Sequence, residues 1–280
     1  MRYIDKQVAG MPATDGAGVK LKRVIGSPAL DMIDPFLMLD EFGSDDPQSW
    51  IAGFPEHPHR GFETVTIMLD GRVKHADSVG NQGVIEAGDV QWMTAGSGII
   101  HSEMPERAEG RLRGFQLWVN LPGKLKMIAP RYQDVRASHI ASVSQNGATV
   151  RVIAGEAFGV KGAADTLMPV RLLDVEIEAN AAFEIGVPDK HACFVYVYEG
   201  EMRGTDRNGK PMDIASGSLA VLAGTDSVGL EAGESGAKLL FADAEPIREP
   251  IARYGPFVMN TREEVQKAFE DYSRGELVSS

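Results

Sequence analysis

Short apolar runs that end in glycine turns dominate the hydrophobic pattern of the chain. Residues 64–71 read TVTIMLDG and residues 194–200 read FVYVYEG. Runs of this length, rich in β-branched and aromatic residues and closed by a turn, are typical of β-strands. The chain also contains 31 glycines and 15 prolines spread along its length. The pattern therefore predicts many short strands joined by tight turns, as in a β-sandwich or β-barrel.

The two runs share their spacing to a second glycine. The interval from Gly71 to Gly88 equals the interval from Gly200 to Gly217. One constant offset along the chain therefore aligns both pairs, which indicates that one β unit occurs twice. A length of 280 residues accommodates two domains of ordinary size.

Pro122-Gly123 and the polar stretch from Ser138 to Gly147 interrupt the strand pattern and indicate a boundary near residues 125–145. Such segments are typical of domain boundaries. We predict an N-terminal domain over residues 1–135 and a C-terminal domain over residues 136–280.

One amphipathic helix is predicted over residues 262–274, docked on a barrel. Thr261 and Glu264 have the spacing of a capping box at its start. Gly275 is placed to end it. The apolar positions recur at helical spacing and consist of Val265, Ala268, Phe269 and Tyr272.

The charge balance argues against nucleic acid and anionic membranes as partners. The chain has 28 basic and 40 acidic residues, a net charge of −12 and a pI near 5.0. This charge repels phosphate groups unless a basic patch is segregated, and the sequence shows no such patch. The charged N-terminus and the single cysteine, Cys193, predict a cytoplasmic protein without a membrane span.

Four candidate metal ligands occur as two pairs with strand spacing. One residue separates His57 from His59, and one residue separates His101 from Glu103. Residues i and i+2 of a strand point to the same face, so the pairs would present three imidazoles and one carboxylate to a barrel interior. This set suits a divalent transition metal with open positions. A single His-x-His pair is also common on solvated strands, but two pairs flanked by glycine turns favour the metal site.

The second half of the chain lacks an equivalent ligand set. His191 and Cys193 are the nearest alternatives, and two ligands without a third hold a metal poorly. We therefore expect one metal per chain and a metal-free C-terminal barrel. The offset that relates the two glycine pairs places the four candidate ligands on Gly186, Pro188, Leu230 and Ala232.

Four strings of residues resemble the pirins, a family of the cupin superfamily. They run in the same order as in that family, from about residue 20 to about residue 275. The resemblance implies an all-β fold of two cupin barrels (double-stranded β-helix, jelly-roll) with a C-terminal α-helix. It also implies that the iron ligands are His57, His59, His101 and Glu103. The strings are HPHRGFETVT (57–66), DPFLMLDEF (34–42), QLWVNLP (116–122) and GPFVMNT (255–261).

The resemblance further implies quercetin 2,3-dioxygenase activity, with a small planar aromatic flavonol and O₂ as substrates. Fe(II) is the favoured metal, although the ligand types also admit Mn, Co, Ni, Cu or Zn. Glu103 is the first candidate for the base that takes the flavonol proton, and Glu63 is the second. Glu63 occupies the carboxylate position of the general cupin motif, and we expect it beside the ligands rather than among them. The alternative is a non-enzymatic, iron- and redox-dependent regulator of partner enzymes or transcription factors.

The remaining candidates have weaker support from the sequence. His75 and Asp77 form a third i, i+2 pair, for which we expect a structural role or a place at the barrel mouth. His139 lies in the predicted linker, where we expect it to be exposed. Aromatic residues close in sequence to the ligands are expected to line the pocket: Phe54, Phe62, Trp92 and Phe115.

Overall fold

The structure is a computed structural model that describes residues 1–106 and 110–278. Within those ranges it contains 24 strands and one α-helix. The first twelve strands are β1 (Tyr3–Ala9), β2 (Met11–Asp15), β3 (Val19–Ile25), β4 (Phe36–Ser44), β5 (Phe54–His59), β6 (Phe62–Asp70), β7 (Arg72–Asp77), β8 (Gln82–Glu86), β9 (Val90–Thr94), β10 (Ile99–Pro105), β11 (Leu112–Asn120) and β12 (Arg131–Val135). The others are β13 (Ser142–Gln145), β14 (Ala148–Ala154), β15 (Glu156–Ala157), β16 (Val160–Lys161), β17 (Val170–Ile177), β18 (Ala182–Gly186), β19 (Ala192–Thr205), β20 (Pro211–Ala215), β21 (Ser218–Ala223), β22 (Ser227–Ala244), β23 (Ala252–Tyr254), β24 (Phe257–Met259) and the helix α1 (Arg262–Ser273).

The chain folds into two compact units whose members are not contiguous in sequence. The N-terminal unit comprises Met11–Gly26, Pro35–Ala137 and the chain from Ile247 onward. The C-terminal unit comprises Met1–Gly10, Ser27–Asp34 and Ser138–Pro246. The main division of the chain lies between Ala137 and Ser138. Each end of the chain belongs to the unit formed mainly by the opposite half of the sequence. The division into domains over residues 1–135 and 136–280 stays a prediction.

Two antiparallel sheets form most of the N-terminal unit, and β23 pairs with β24 in a small third sheet. The larger has seven strands in the order β12-β9-β6-β11-β4-β3-β2, and the smaller has four in the order β5-β10-β7-β8. Alternate residues of β6 and β11 face opposite sides of the larger sheet, and strand register places Thr66 opposite Gln116 and Thr64 opposite Trp118. The smaller sheet carries both predicted ligand pairs.

The C-terminal unit is built on one nine-stranded sheet. Its main path is β1-β21-β19-β22-β17-β14-β13, with β18 paired to β22 and β20 paired to β19. The first strand of the chain therefore lies at the edge of this sheet, along β21. An apolar cluster fills the unit, and two of the positions predicted to have lost their ligands, Leu230 and Ala232, are part of it.

The glycines of the sequence repeat adopt the same turn conformation. Gly71 and Gly200 have φ angles of 80° and 69°, and Gly88 and Gly217 have φ angles of 84° and 78°. These values lie in the left-handed region, which a Cβ atom disfavours. At Gly200 a Cβ would also clash with the Gly236 carbonyl oxygen. The spacing found in the sequence therefore corresponds to two pairs of equivalent turns.

The predicted C-terminal helix and both of its ends are confirmed. The Glu264 amide donates to the Thr261 hydroxyl over 3.2 Å, and the Thr261 amide donates to the Glu264 carboxylate over 2.9 Å. Gly275 follows the helix with φ of 73°. Within the described residues, no helix is long and apolar enough to cross a membrane.

One position on the apolar face of this helix was predicted wrongly. Val265 and Ala268 are buried as expected, but Tyr272 is 41% exposed and its neighbour Asp271 is buried instead. The reason is an ion pair: the Arg60 guanidinium donates to Asp271 Oδ2 over 2.7 Å. Arg60 directly follows His59 in the chain, and it also donates to the Ser97 carbonyl. The helix is thereby joined to the end of β5.

We expect Asp271→Asn to lower the free energy of unfolding by about 2 kcal/mol, because it leaves the buried Arg60 guanidinium without its counter-charge. Urea titration of the purified protein would measure the change. Glu270→Gln, at an exposed position on the same helix, is the matched control and should change stability by less than about 0.5 kcal/mol. Equal stability of both variants would show that the ion pair contributes nothing.

Candidate metal centre

Strand pairing brings His57, His59 and His101 together. In the register of β5 and β10, His101 lies opposite His57 and Ile99 lies opposite His59. The ring centroids of the three imidazoles are 4.4 to 5.0 Å apart. One nitrogen of each ring lies within 4.8 Å of the others. Nitrogen ligands about 2.1 Å from one ion are roughly 3 to 4 Å apart, so the cluster is close to the size of a metal site.

The Nδ1 atom of each imidazole has a polar neighbour. His57 Nδ1 lies 2.8 Å from the Pro55 carbonyl oxygen, and His59 Nδ1 lies 3.4 Å from the Pro256 carbonyl oxygen. A carbonyl only accepts hydrogen bonds, so these contacts require Nδ1–H and leave Nε2 as the free lone pair. His101 Nδ1 lies 3.3 Å from the Tyr132 hydroxyl, and its Nε2 is buried with no protein partner among the described residues. Hydrogen bonds of this kind orient the histidine ligands of metals.

Burial keeps two of these histidines neutral. The pKa of His59 lies well below the usual 6.5 because the ring is desolvated and because His57 is adjacent. The pKa of His101 is lowered for the same reasons, desolvation first and the neighbouring histidines second. A neutral imidazole offers the lone pair that a metal needs.

These lowered pKa values predict that the metal-free protein loses stability in acid. Below pH about 6.5 the unfolded chain binds protons at His59 and His101 that the folded chain does not bind, so the free energy of unfolding should fall. Each such proton contributes up to about 1.4 kcal/mol per pH unit. Chemical denaturation of the metal-free protein from pH 7 to pH 5 measures the slope. His59→Gln should reduce the dependence of the free energy of unfolding on pH. His139→Gln, at an exposed position, is the control and should not reduce it. Equal pH dependence in wild type and both variants would contradict the explanation.

Glu103 lies on the same strand face as His101 but stands apart from the three-imidazole cluster. The register of β10 and β5 shifts between these residues, so that Phe54 lies opposite Glu103. The Thr66 hydroxyl donates to Glu103 Oε1 over 2.9 Å. Burial raises the pKa of Glu103, against the opposing effects of His57 and the Thr66 hydrogen bond. The structure thus places a buried carboxylate near the histidines, and its role as a fourth ligand stays a prediction.

A cavity of about 640 Å³ opens beside these side chains. His57, His59 and Glu103 contribute to its wall. Its remaining wall combines apolar, aromatic and charged residues, including Met38, Phe42, Trp50, Phe54, Thr66, Gln116, Trp118, Arg23, Asp40 and Arg253. A cavity of this volume is large enough for a small aromatic ligand.

The predicted aromatic lining is correct for Phe54 only. Phe62, Trp92 and Phe115 are fully buried and do not contribute to the cavity wall. Phe62 instead packs against the edge of His59, with ring centroids 5.1 Å apart. Trp92 and Phe115 lie on the other face of the sheet, because they pair with Val65 and Ile67, which alternate with Thr66. Phe62 is on the same face as Thr66 but is covered by side chains that line the cavity, since Trp118 also packs against it.

Glu63 does not join the histidines either. It is fully buried, and its Oε1 accepts a hydrogen bond from the Thr94 hydroxyl over 2.7 Å. Its position in β6 alternates with that of Thr66, which lines the cavity, so the two side chains leave opposite faces of the sheet. The structure therefore gives no support to Glu63 as a second general base.

The weaker histidine candidates occupy structural or exposed positions. His75 is buried and stacks on Tyr132, with ring centroids 5.3 Å apart. Asp77 accepts hydrogen bonds from the amides of Val79 and Asn81 and so closes the turn after β7. His139 is exposed, as expected.

Comparison with known proteins assigns the chain to a family. A pirin-like protein from Caulobacter vibrioides is 46% identical over 287 residues, which cover 98% of this chain and 99% of the relative. The chain belongs to the pirin family. The Pirin family model matches residues 18–119, and the Pirin C-terminal cupin domain model matches residues 172–278.

Two further relatives of this pirin carry the name of an enzyme. A Pseudomonas aeruginosa protein with the provisional name quercetin 2,3-dioxygenase is 46% identical over 96% of this chain and 95% of its own length. A crystal structure of quercetin 2,3-dioxygenase from Acinetobacter baumannii has 36% identity and a TM-score of 0.90, covering 100% of this chain and 99% of that chain. The predicted all-β bicupin fold is confirmed by these matches.

In the C-terminal cupin of this pirin, His191 and Cys193 make contacts unlike those of metal ligands. His191 Nδ1 lies 2.6 Å from Asp243 Oδ2, and Arg171 donates to the other oxygen of Asp243 over 2.6 Å. Cys193 is buried, and desolvation together with Asp243 raises the pKa of its thiol. His191 thus belongs to an ionic network, and Cys193 packs as a small apolar residue.

Sequence reasoning missed several side chains of the pirin site. Trp118 packs edge-on against His59, with ring centroids 5.3 Å apart. Tyr132 contacts His101, and the Pro256 carbonyl contacts His59. Trp118 and Pro256 lie in strings that carried the family resemblance, QLWVNLP and GPFVMNT, which was the available signal for their importance.

Proposed function

We propose that this pirin binds one divalent transition metal, Fe(II) by preference, and oxidises quercetin-type flavonols with O₂. The ligands would be His57, His59, His101 and Glu103. The observation that carries the proposal is the convergence of three imidazoles within 4.8 Å on the wall of a large cavity. The choice of reaction is supported by the crystal structure of quercetin 2,3-dioxygenase from Acinetobacter baumannii, which has 36% identity over the whole chain.

The donor set fits a metal ion. The buried Nε2 of His101 has no protein partner among the described residues, and leaving a buried polar atom unsatisfied is costly. A cation at the centre of the cluster would satisfy it. When bound, such a metal supplies Lewis acidity, which lowers the pKa of a hydroxyl that binds to it.

Glu103 would accept the proton of the flavonol 3-hydroxyl. Thr66 holds Oε1 by a hydrogen bond, so Oε2 is the oxygen that takes the proton. In the metal-free protein, burial raises the pKa of this carboxylate. Transfer of the proton to Glu103 would keep the net charge of the centre at one positive charge, because the flavonolate anion would replace the carboxylate as the negative group beside the cation.

The cavity wall suits a planar substrate. Trp118 and Phe54 offer aromatic surface close to the histidines, and Met38 adds a flexible apolar contact. Such a wall positions the ring system and excludes water from the reacting atoms.

The test is to measure metal content and O₂-dependent loss of quercetin absorbance on the same preparation. The proposal expects about one metal per chain and turnover that follows the metal content across partly loaded samples. Stoichiometric metal without quercetin consumption would reject the enzymatic role and favour the regulatory alternative, in which the metal controls binding to a protein partner.

A further inference from the structure

A row of polar side chains crosses the seven-stranded sheet on the side of the cavity. Strand register places Gln116 opposite Asp40 on one neighbouring strand and opposite Thr66 on the other, and Thr66 lies opposite Gln91. Residues that face each other across neighbouring strands share one face of the sheet. The rows on either side are mainly apolar and include Met38, Trp118, Phe42 and Met68.

The two ends of this row are satisfied by the chain itself. Asp40 accepts hydrogen bonds from the Arg23 guanidinium at both carboxylate oxygens, over 3.0 and 2.7 Å. The Gln91 amide donates to Asp134 Oδ1 over 2.9 Å, and Gln91 is buried and does not line the cavity. The hydrogen-bonding capacity that remains for a ligand therefore lies at the centre of the row.

The single proton of the Thr66 hydroxyl decides how the Gln116 amide is oriented. Thr66 Oγ1 lies 2.9 Å from Glu103 Oε1 and 2.7 Å from one end of the Gln116 amide. A hydroxyl donates one hydrogen bond and a carboxylate can only accept, so the proton is directed to Glu103. The amide then turns its nitrogen toward Thr66 and donates to the hydroxyl oxygen, because the hydrogen-bond network determines which end of an amide is the nitrogen. The oxygen of Gln116 consequently faces away from Thr66.

This amide oxygen is an acceptor that the chain does not use. Gln116 is half-buried and lines the cavity, and within the described residues its side-chain amide bonds to Thr66 alone. An amide oxygen binds a hydroxyl group of a ligand but cannot bond to an ether oxygen, which has no proton to donate. The amide lies two hydrogen bonds from Glu103. A second hydroxyl of a flavonol can span this separation when the 3-hydroxyl meets the carboxylate.

We propose that Gln116 determines specificity by accepting a hydrogen bond from a phenolic hydroxyl of the substrate. The preferred substrates are then flavonols that carry a free hydroxyl in addition to the 3-hydroxyl, and the corresponding methyl ethers are disfavoured. This inference rests on the proposed metal and flavonol site and narrows its substrate class. A site that bonds a hydroxyl rejects an analogue without it, because the acceptor is then left unpaired.

The experiment compares 3-hydroxyflavones that carry one further hydroxyl, at position 7, 3′ or 4′, with 3-hydroxyflavones that carry a methoxy group at the same position. Dissociation constants are measured by absorbance titration of the full-length protein loaded with Zn(II), a redox-silent ion. We expect wild type to bind at least one hydroxyl compound about tenfold more tightly than its ether, the scale of one hydrogen bond whose acceptor is otherwise unpaired. Gln116→Met keeps the length of the side chain but removes the acceptor, and it should reduce this ratio to about twofold or less.

Gln82→Met is the matched control. Gln82 is exposed, lies on β8 of the same unit and does not line the cavity. The control should leave the ratio of the two dissociation constants unchanged.

Three results would overturn the role of Gln116. Hydroxyl compounds and ethers that bind wild type equally would show that the acceptor is not used, and ethers that bind more tightly would show that the amide presents its nitrogen to the cavity. A preference that survives in Gln116→Met would indicate that the methyl group is excluded by size. Absence of binding by every compound would reject the role of Gln116 and the proposed substrate class together. The proposed function fails separately, if the iron-loaded protein consumes no flavonol while the Gln116-dependent preference persists.

Discussion

Replacing Glu103 by glutamine should lower flavonol turnover by about 100-fold or more, the usual scale for removal of a general base. The amide cannot accept the 3-hydroxyl proton. It also lacks the negative charge with which Glu103 would offset part of the charge of the metal. The Thr66 hydroxyl can still donate to the amide oxygen, so the buried side chain keeps a partner and the fold should survive. Steady-state quercetin consumption, normalised to bound metal, is the measurement.

Glu86→Gln is the matched control for this variant. Glu86 is a half-exposed carboxylate of the same four-stranded sheet, paired with Arg72 at the surface. It should retain wild-type turnover. If Glu103→Gln consumes quercetin as fast as wild type at equal metal content, Glu103 is not the base, although the histidine cluster would be unaffected by that result.

Replacing His59 by alanine should remove most of the bound metal. The expected loss of affinity exceeds the roughly 10- to 100-fold typical of changes to residues that only orient a ligand. The fold should persist, because the N-terminal unit has an apolar core of its own that includes Phe42, Trp50 and Met68. Elemental analysis after gel filtration, together with a thermal melt, measures both properties.

His139→Ala serves as the reference for the loss of one histidine, since His139 is exposed. It should keep about one metal per chain. Full metal occupancy in His59→Ala would exclude this residue as a ligand. Unfolding of His59→Ala would indicate a structural metal and weaken the enzymatic proposal. Two metal equivalents in wild type would contradict the prediction of a single site.

The features that were predicted from sequence have short-range causes. The pairs His57, His59 and His101, Glu103 follow the alternating period of a strand, which depends on neighbouring residues alone. The capping box of Thr261 and Glu264 is equally local. The family resemblance then supplied the two-barrel fold, which no local pattern specifies.

The features that were missed depend on pairing between distant segments. The register shift between His101 and Glu103 results from how β5 lies along β10, and no single strand encodes it. Trp118 and Arg253 meet although they lie on strands from opposite halves of the sequence. The assignment of Trp92 and Phe115 to the cavity failed because the side of the sheet, and not sequence distance, decides which residues line a cavity. Phe62 is on the right side but is packed beneath His59 and Trp118.

The exchange of the chain ends between the two units determines the order in which they can be completed during synthesis. A ribosome releases the N-terminus first, so β1 is ready to join its sheet and the C-terminal unit has all its segments once Pro246 has emerged. The N-terminal unit must wait for the chain from Ile247 onward, including the Pro256 carbonyl that contacts His59 and the Asp271 carboxylate that binds Arg60. The unit formed mainly by the first half of the sequence is therefore the later of the two to have all its segments, although most of it is translated first.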